Sequence, residues 1–192
     1  MTARRVGTVA GVAAVAVGLA WLLFVGLPAR YGRPAASTAP PPDAVNGPDL
    51  PERKIQVQLF YVAEDGRKLT SVERDVPFRE DPAEQAKAII NAQLAPVAPP
   101  LVSALPLGTT LRALFVDARG DAYVDLSHEL TTAHAGGSMH ELLTIYTIVD
   151  ALTVNLPTIR SVQLLVEGKE VDALAGHVNL RRPVVKNLDW VQ

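Results

Sequence analysis

Between residues 128 and 141 the chain gathers His128, His134, Ser138, His140 and Glu141, with Gly136 and Gly137 just before the serine. Three chemistries use such residues. A serine hydrolase presents its nucleophile on a G-x-S-x-G elbow and pairs it with a histidine and an acid. Here the stretch reads GGSMH, without the closing glycine, and the nearness of Asp125 and His128 in sequence fixes no triad geometry. A zinc site usually takes a short ligand pair from one element, such as two histidines four apart. His128, His134 and His140 are six apart and form no such pair. Asp117, Asp121 and Asp125 lack the D-x-D-x-D-G spacing of a calcium loop. A structural reading needs less. Ser138 is a helix N-cap, Glu141 three residues on closes a capping box, and Gly136 and Gly137 supply a flexible approach. Such a cap is worth about 1 kcal/mol. Glu167, Lys169 and Glu170 are turn charges around Gly168, and His177, after Gly176, is a local hydrogen-bonding residue. No catalytic, cofactor-binding or metal-ligating residue is therefore assigned.

The elements that position these residues follow from periodicity. IQVQLFYV alternates at strand spacing from Ile55, Glu64-Asp65-Gly66 signals a turn, and Arg67 to Val76 returns as a second strand. Asp81-Pro82-Ala83-Glu84 starts a helix, with Asp81 as cap, whose apolar face is Ala86, Ile89, Ile90 and Leu94. Leu101 to Gly108 is a loop with apolar residues. Thr110 to Asp117 and Asp121 to Ser127 form a hairpin about Gly120. Leu142, Ile145, Tyr146, Val149 and Leu152 fall at helical spacing, and residues 161–168 make a last strand. The expected class is α+β: one small domain in the order β-β-α-β-β-α-β, two helices packed on a mixed sheet, preceded by one N-terminal transmembrane helix.

That helix is residues 6–27, a 22-residue run without a charge. A span needs roughly 20 apolar residues, whereas a cleaved signal peptide has a shorter apolar core and a small-residue cleavage site. Pro28-Ala29-Arg30 is a poor one. Residues 1–5 are a short cytoplasmic tail, and residues 28–54, rich in proline, are an extended extracytoplasmic tether. The domain spans residues 55–185, and residues 186–192 form a C-terminal tail. Beyond Arg4 and Arg5 the chain has 16 basic and 20 acidic residues, a balance that gives no footprint for nucleic acid. With no cysteine, disulfides, thiolate chemistry and lipidation at cysteine are excluded.

Several segments recur in one order: SALPLGTTL at 103–111, GDAYVDLS at 120–127, GGSMHE at 136–141, VQLLVEG at 162–168 and LAGHVNL at 174–180. In these the chain, over about residues 55–183, resembles the GerMN domain family, named for the GerM sporulation and spore-germination proteins. The resemblance implies an α+β domain shaped like the ring-building modules of bacterial envelope machines. It implies an exported, membrane-tethered protein without known enzymatic activity, which in spore formers supports assembly of an envelope-spanning complex. The family motif residues carried over are Gly136, Gly137, Ser138, Glu141, Gly168, Gly176 and His177. Two features depart from the family: a single domain where GerM proteins carry two, and a transmembrane anchor where many have a lipidated cysteine. The function expected is a non-enzymatic, membrane-anchored cell-envelope protein that binds or scaffolds partner proteins. A peptidoglycan-binding module and an envelope hydrolase using Ser138 are the alternatives. Expected partners are envelope proteins or peptidoglycan, with the membrane engaged through residues 6–27, no nucleic acid and no cofactor.

Overall fold

β1 (Lys54–Val62) and β2 (Leu69–Pro77) run antiparallel in a continuous register from Lys54↔Pro77 to Val62↔Leu69. Their alternation buries Val57, Leu59 and Tyr61 on one face, and Phe60 is buried on the other. A computed structural model describes residues 53–192 of the chain. The expected N-terminal tail, membrane anchor and tether, residues 1–54, lie outside the described residues, except Arg53 and Lys54, and Lys54 opens β1. Among the described residues no helix is long and apolar enough to cross a membrane.

After the hairpin comes α1 (Pro82–Leu94), begun as its sequence predicts: Asp81 accepts the Glu84 N–H at 2.9 Å, and Pro82 occupies the first turn. β3 (Leu111–Val116) and β4 (Asp121–Leu126) form the second hairpin. A short α2 (Glu129–Thr132) and the long α3 (Ser138–Asn155) then cross over to β5 (Ser161–Val166), which pairs with β4 in parallel. Parallel neighbours require such a crossover. Two-residue strands, β6 (Lys169–Glu170) and β7 (Val184–Val185), add to β5 antiparallel, which makes this five-stranded sheet mixed. The β1–β2 hairpin is a separate two-stranded sheet.

The core collects the inward residues of both sheets with α1 and α3. α3 is buried on more than one side. Leu143, Ile148 and Ala151, outside the face expected from its spacing, are fully buried with Ile145, Val149 and Leu152, while Leu142 and Tyr146 are only half-buried. A helix packed from several sides loses the one-sided stripe on which sequence reading depends.

The outer edge of β1 is sealed without a third strand. Asn155 of α3 holds the Gln58 backbone with both amide atoms, at 2.8 and 2.7 Å. Gln93 of α1 does the same at Phe60, at 2.8 Å each, and the Val62 N–H donates to the Val102 carbonyl. Residues 186–192 lie on the domain: Trp190 stacks on Tyr146 at 6.4 Å, Val191 bridges Leu69, and the Gln192 N–H donates to the Leu69 carbonyl.

Candidate functional site

Of the residues that could do chemistry, Gly136, Gly137, His134 and Glu141 meet at the start of α3 and are engaged in folding. Gly136 and Gly137 adopt φ of +79° and +85°, the left-handed region that glycine enters without steric cost. The helix begins at Ser138, so Gly137 is its N-cap and no side chain caps it. Ser138 is thus the first helical residue rather than the cap, and its side chain is exposed. The expected capping box is out of register by one residue, and Glu141 does not reach back to the helix start.

Glu141 instead points into the fold and is 0% exposed. One carboxylate oxygen accepts the N–H groups of Leu174 and Ala175 at 2.8 and 3.0 Å. The other accepts the His177 N–H at 2.9 Å and faces His177 Nδ1 at 3.1 Å. Burial alone would push this carboxyl up. The backbone donors of the 174–178 loop outweigh it and hold the pKa below the usual carboxylate range. Glu141 and His177, assigned separately from sequence, therefore form one unit, a buried carboxylate clasped by a loop that turns at Gly176.

His134 is committed as well. The Gly136 N–H donates to its Nδ1 at 2.9 Å, and its Nε2 lies 3.2 Å from Thr144 Oγ1. The Thr144 hydroxyl proton goes to the Ala104 carbonyl at 2.7 Å, so Nε2–H must donate to Thr144. The ring is neutral in a fixed tautomer, and burial lowers its pKa. This chain of bonds joins the SALP segment to α3 beside a cavity of about 250 Å³ that His140 also lines. His128 lies elsewhere, exposed at the carboxyl end of β4, 3.3 Å from Glu129 and 3.9 Å from Glu167. There Asp125 accepts the Gly168 N–H at 2.7 Å and Arg112 at 3.2 Å, and Arg112 also reaches Glu167. Asp117 accepts the Arg119 and Asp121 N–H groups and stabilises the β3–β4 turn. Among the described residues no group of three acids, histidines or cysteines is placed to hold a metal ion.

The sequence reading missed a buried polar series on α3 at every third position: Glu141, Thr144, Thr147, Asp150 and Thr153. Its signal was visible, since polar residues at that spacing inside an apolar helix are unusual on a side packed by neighbours.

No curated protein matches the chain. Among solved structures, the tandem GerMN domains of the sporulation protein GerM from Bacillus subtilis superpose with a TM-score of 0.54 at 16% identity, over 71% of this chain and 48% of that one. The chain thus spans about half the length of the tandem structure. The first GerMN domain of the same protein gives 0.49 at 16% identity, over 69% of this chain and 98% of that one. At 16% identity the tandem structure speaks for the fold alone. The model of the family described as "Germane: Sporulation and spore germination" matches residues 58–172, from β1 through the β5–β6 turn to the start of the loop that clasps Glu141. Since that span is more than half of the chain and takes in the Ser103–Thr109, Ala122–Ser127 and Gly136–Glu141 motifs, the protein belongs to this GerMN-type sporulation and germination family.

Proposed function

We propose that this is a non-enzymatic scaffold of the cell envelope, held to the cytoplasmic membrane by residues 6–27 and held off it by the proline-rich tether. Its GerMN domain, on the extracytoplasmic side, recruits a partner protein by accepting an extended strand. The observation that carries this reading is the contrast between sheet edges. β1 is sealed by Asn155, Gln93 and Val102. β2 exposes the charged Glu73, Arg74 and Asp75, which discourage pairing, and Gln192 occupies its Leu69 end. β3 closes the five-stranded sheet as an edge strand of sequence LRALFV, and its Phe115 is 63% exposed. Arg112 and a register shift between Leu111 and Ala113 blunt one end of it, but Leu114, Phe115 and Val116 leave an apolar stretch of edge strand, and such a stretch can accept an added strand. That Glu141 and His134 are spent on internal bonds supports a role without chemistry.

Crosslinking of the full-length protein in its native cells, read by mass spectrometry, tests this. Envelope-assembly proteins should appear among the crosslinks and vanish with Phe115→Lys, a surface change that leaves the fold intact. Crosslinks that survive Phe115→Lys would remove β3 from the reading. Sedimentation with purified sacculi and no protein crosslinks would replace the scaffold with a peptidoglycan-binding module.

A further inference from the structure

Among the described residues, two buried side-chain atoms have no hydrogen-bond partner: Thr147 Oγ1 and Asp150 Oδ2. They lie about one turn apart on α3, and both residues are 0% exposed. The other Asp150 oxygen accepts a single long bond, from the Asn187 N–H at 3.2 Å. That donor belongs to residues 186–192, which are fastened at two other points: the Trp190–Tyr146 stack and the Val191–Leu69 bridge, in which the Gln192 N–H donates to the Leu69 carbonyl. None of these seven residues is fully buried.

A buried carboxyl with one weak donor is tolerated when neutral and costly when ionised. Glu141, equally buried on the same helix, shows the opposite case, since its charge is met by a ring of donors. We propose that residues 186–192 are a strap that closes over Asp150 while its carboxyl is protonated and lifts from α3 as that carboxyl ionises and takes up water. Burial is the main cause that raises the Asp150 pKa from 3.8 to about 6, against the Asn187 donor and the charge of Lys186. Lys186 is on the strap itself, as is Asp189; β5 and β7 contain no charged residue, and of the charged groups on β1 (Lys54), α1 (Glu84, Lys87) and the strap only Lys186 acts on Asp150. Because the closed-state pKa is raised, the strap holds fully below 3.8, weakens as the pH climbs to about 6, and changes little above. The opening equilibrium therefore grows roughly 25-fold between pH 4.5 and 7.5. Lifting uncovers the Tyr146 flank of α3 and the Leu69 end of the β2 edge.

Hydrogen–deuterium exchange of the full-length protein, corrected for intrinsic rates, is the test. Protection of the Asn187, Val191 and Gln192 amides should fall roughly 25-fold from pH 4.5 to pH 7.5, while β4 and β5 amides stay unchanged. Asp150→Asn should remove the pH dependence. Equal strap protection at both pH values overturns the proposal. So does loss of strap and β5 protection together, or a dependence that survives Asp150→Asn. If that variant does not fold, carbon-13 titration of the Asp150 carboxyl in the unaltered protein decides: a midpoint near 6 supports the strap and one near 3.8 overturns it.

Discussion

The start of α3 admits two accounts that differ in what Ser138 and Glu141 contribute, and a pair of substitutions separates them. Glu141→Ala removes the acceptor for three backbone N–H groups and the His177 ring. A buried donor left unmet costs about 1–3 kcal/mol. The Leu174 N–H is buried and bears that cost in full, whereas water can reach the part-buried Ala175 and His177 groups and recover much of theirs. A loss of about 3–4 kcal/mol is expected, a fall of roughly 10 °C in Tm for a domain of this size. Glu141→Gln keeps the shape but turns an amide NH2 toward donors, and should cost about 2 kcal/mol. Ser138→Ala touches an exposed side chain with no capping bond and should stay within about 0.5 kcal/mol. Urea unfolding followed by circular dichroism at pH 7 measures all three. Acid adds a signature. The Glu141 pKa is depressed in the fold, so its contribution is present above the unfolded carboxyl value and drains away as the pH falls through the folded one. Glu141→Gln should flatten that part of the profile. A capping box would give the reverse order, with Ser138→Ala costing about 1 kcal/mol and Glu141→Ala costing no more. That result would refute the clasped-carboxylate account.

Gly120→Ala should cost about 2–4 kcal/mol, because a Cβ there would lie 2.5 Å from the Thr158 carbonyl at a φ of +90°. Gly66→Ala, at φ +67° with open space around it, should cost only about 1 kcal/mol in thermal melts. Gln93→Leu leaves the Phe60 N–H and carbonyl unmet in a buried place and should cost about 2–4 kcal/mol by urea titration, and a loss under about 0.5 kcal/mol would show that the edge is not held this way. His134 has its pKa lowered by burial, so the unfolded chain takes the proton first; its share of stability is intact above the ordinary histidine value of 6.5 and falls as the pH drops through it. Denaturation at pH 8 and pH 5.5 should show a change on acidification that is less favourable in the unaltered protein than in His134→Gln, the difference isolating His134 from the opposite contribution of Asp150.

What could be read in advance was local. Asp81 caps α1 because cap, proline and the N–H it binds lie within four residues. The β3–β4 hairpin was legible at Gly120 for the same reason. Glu141 was not, since its partners lie 33 to 36 residues away and nothing in GGSMHE announces them. Ser138 misled because a serine three residues before a glutamate is the capping-box pattern, and a second left-handed glycine moved the helix start forward by one residue. The terminal segment looked like a tail because its anchors, Tyr146, Asp150 and Leu69, belong to elements far away in sequence. β6 and β7, at two residues each, carry no periodicity at all.

α3 shows how residues of catalytic type can be engaged in holding a fold together. Glu141 fastens the 174–177 loop, Thr144 fastens the SALP segment with His134, and Asp150 meets the C-terminal segment. These three side chains each reach a different length of irregular backbone, whose unmet N–H and carbonyl groups would otherwise destabilise the core, whereas Thr153 bonds back to the Val149 carbonyl of its own helix and Thr147 Oγ1 has no partner. A helix buried among strands and another helix can supply such bonds only with polar residues set among its apolar ones. Glu141, Thr144 and His134 serve that task, and a nucleophile or base must instead have a lone pair free to act on a substrate. Glu141 and His134 have none to spare, and on that account the proposed function is placed at the β3 edge, where Phe115 is exposed.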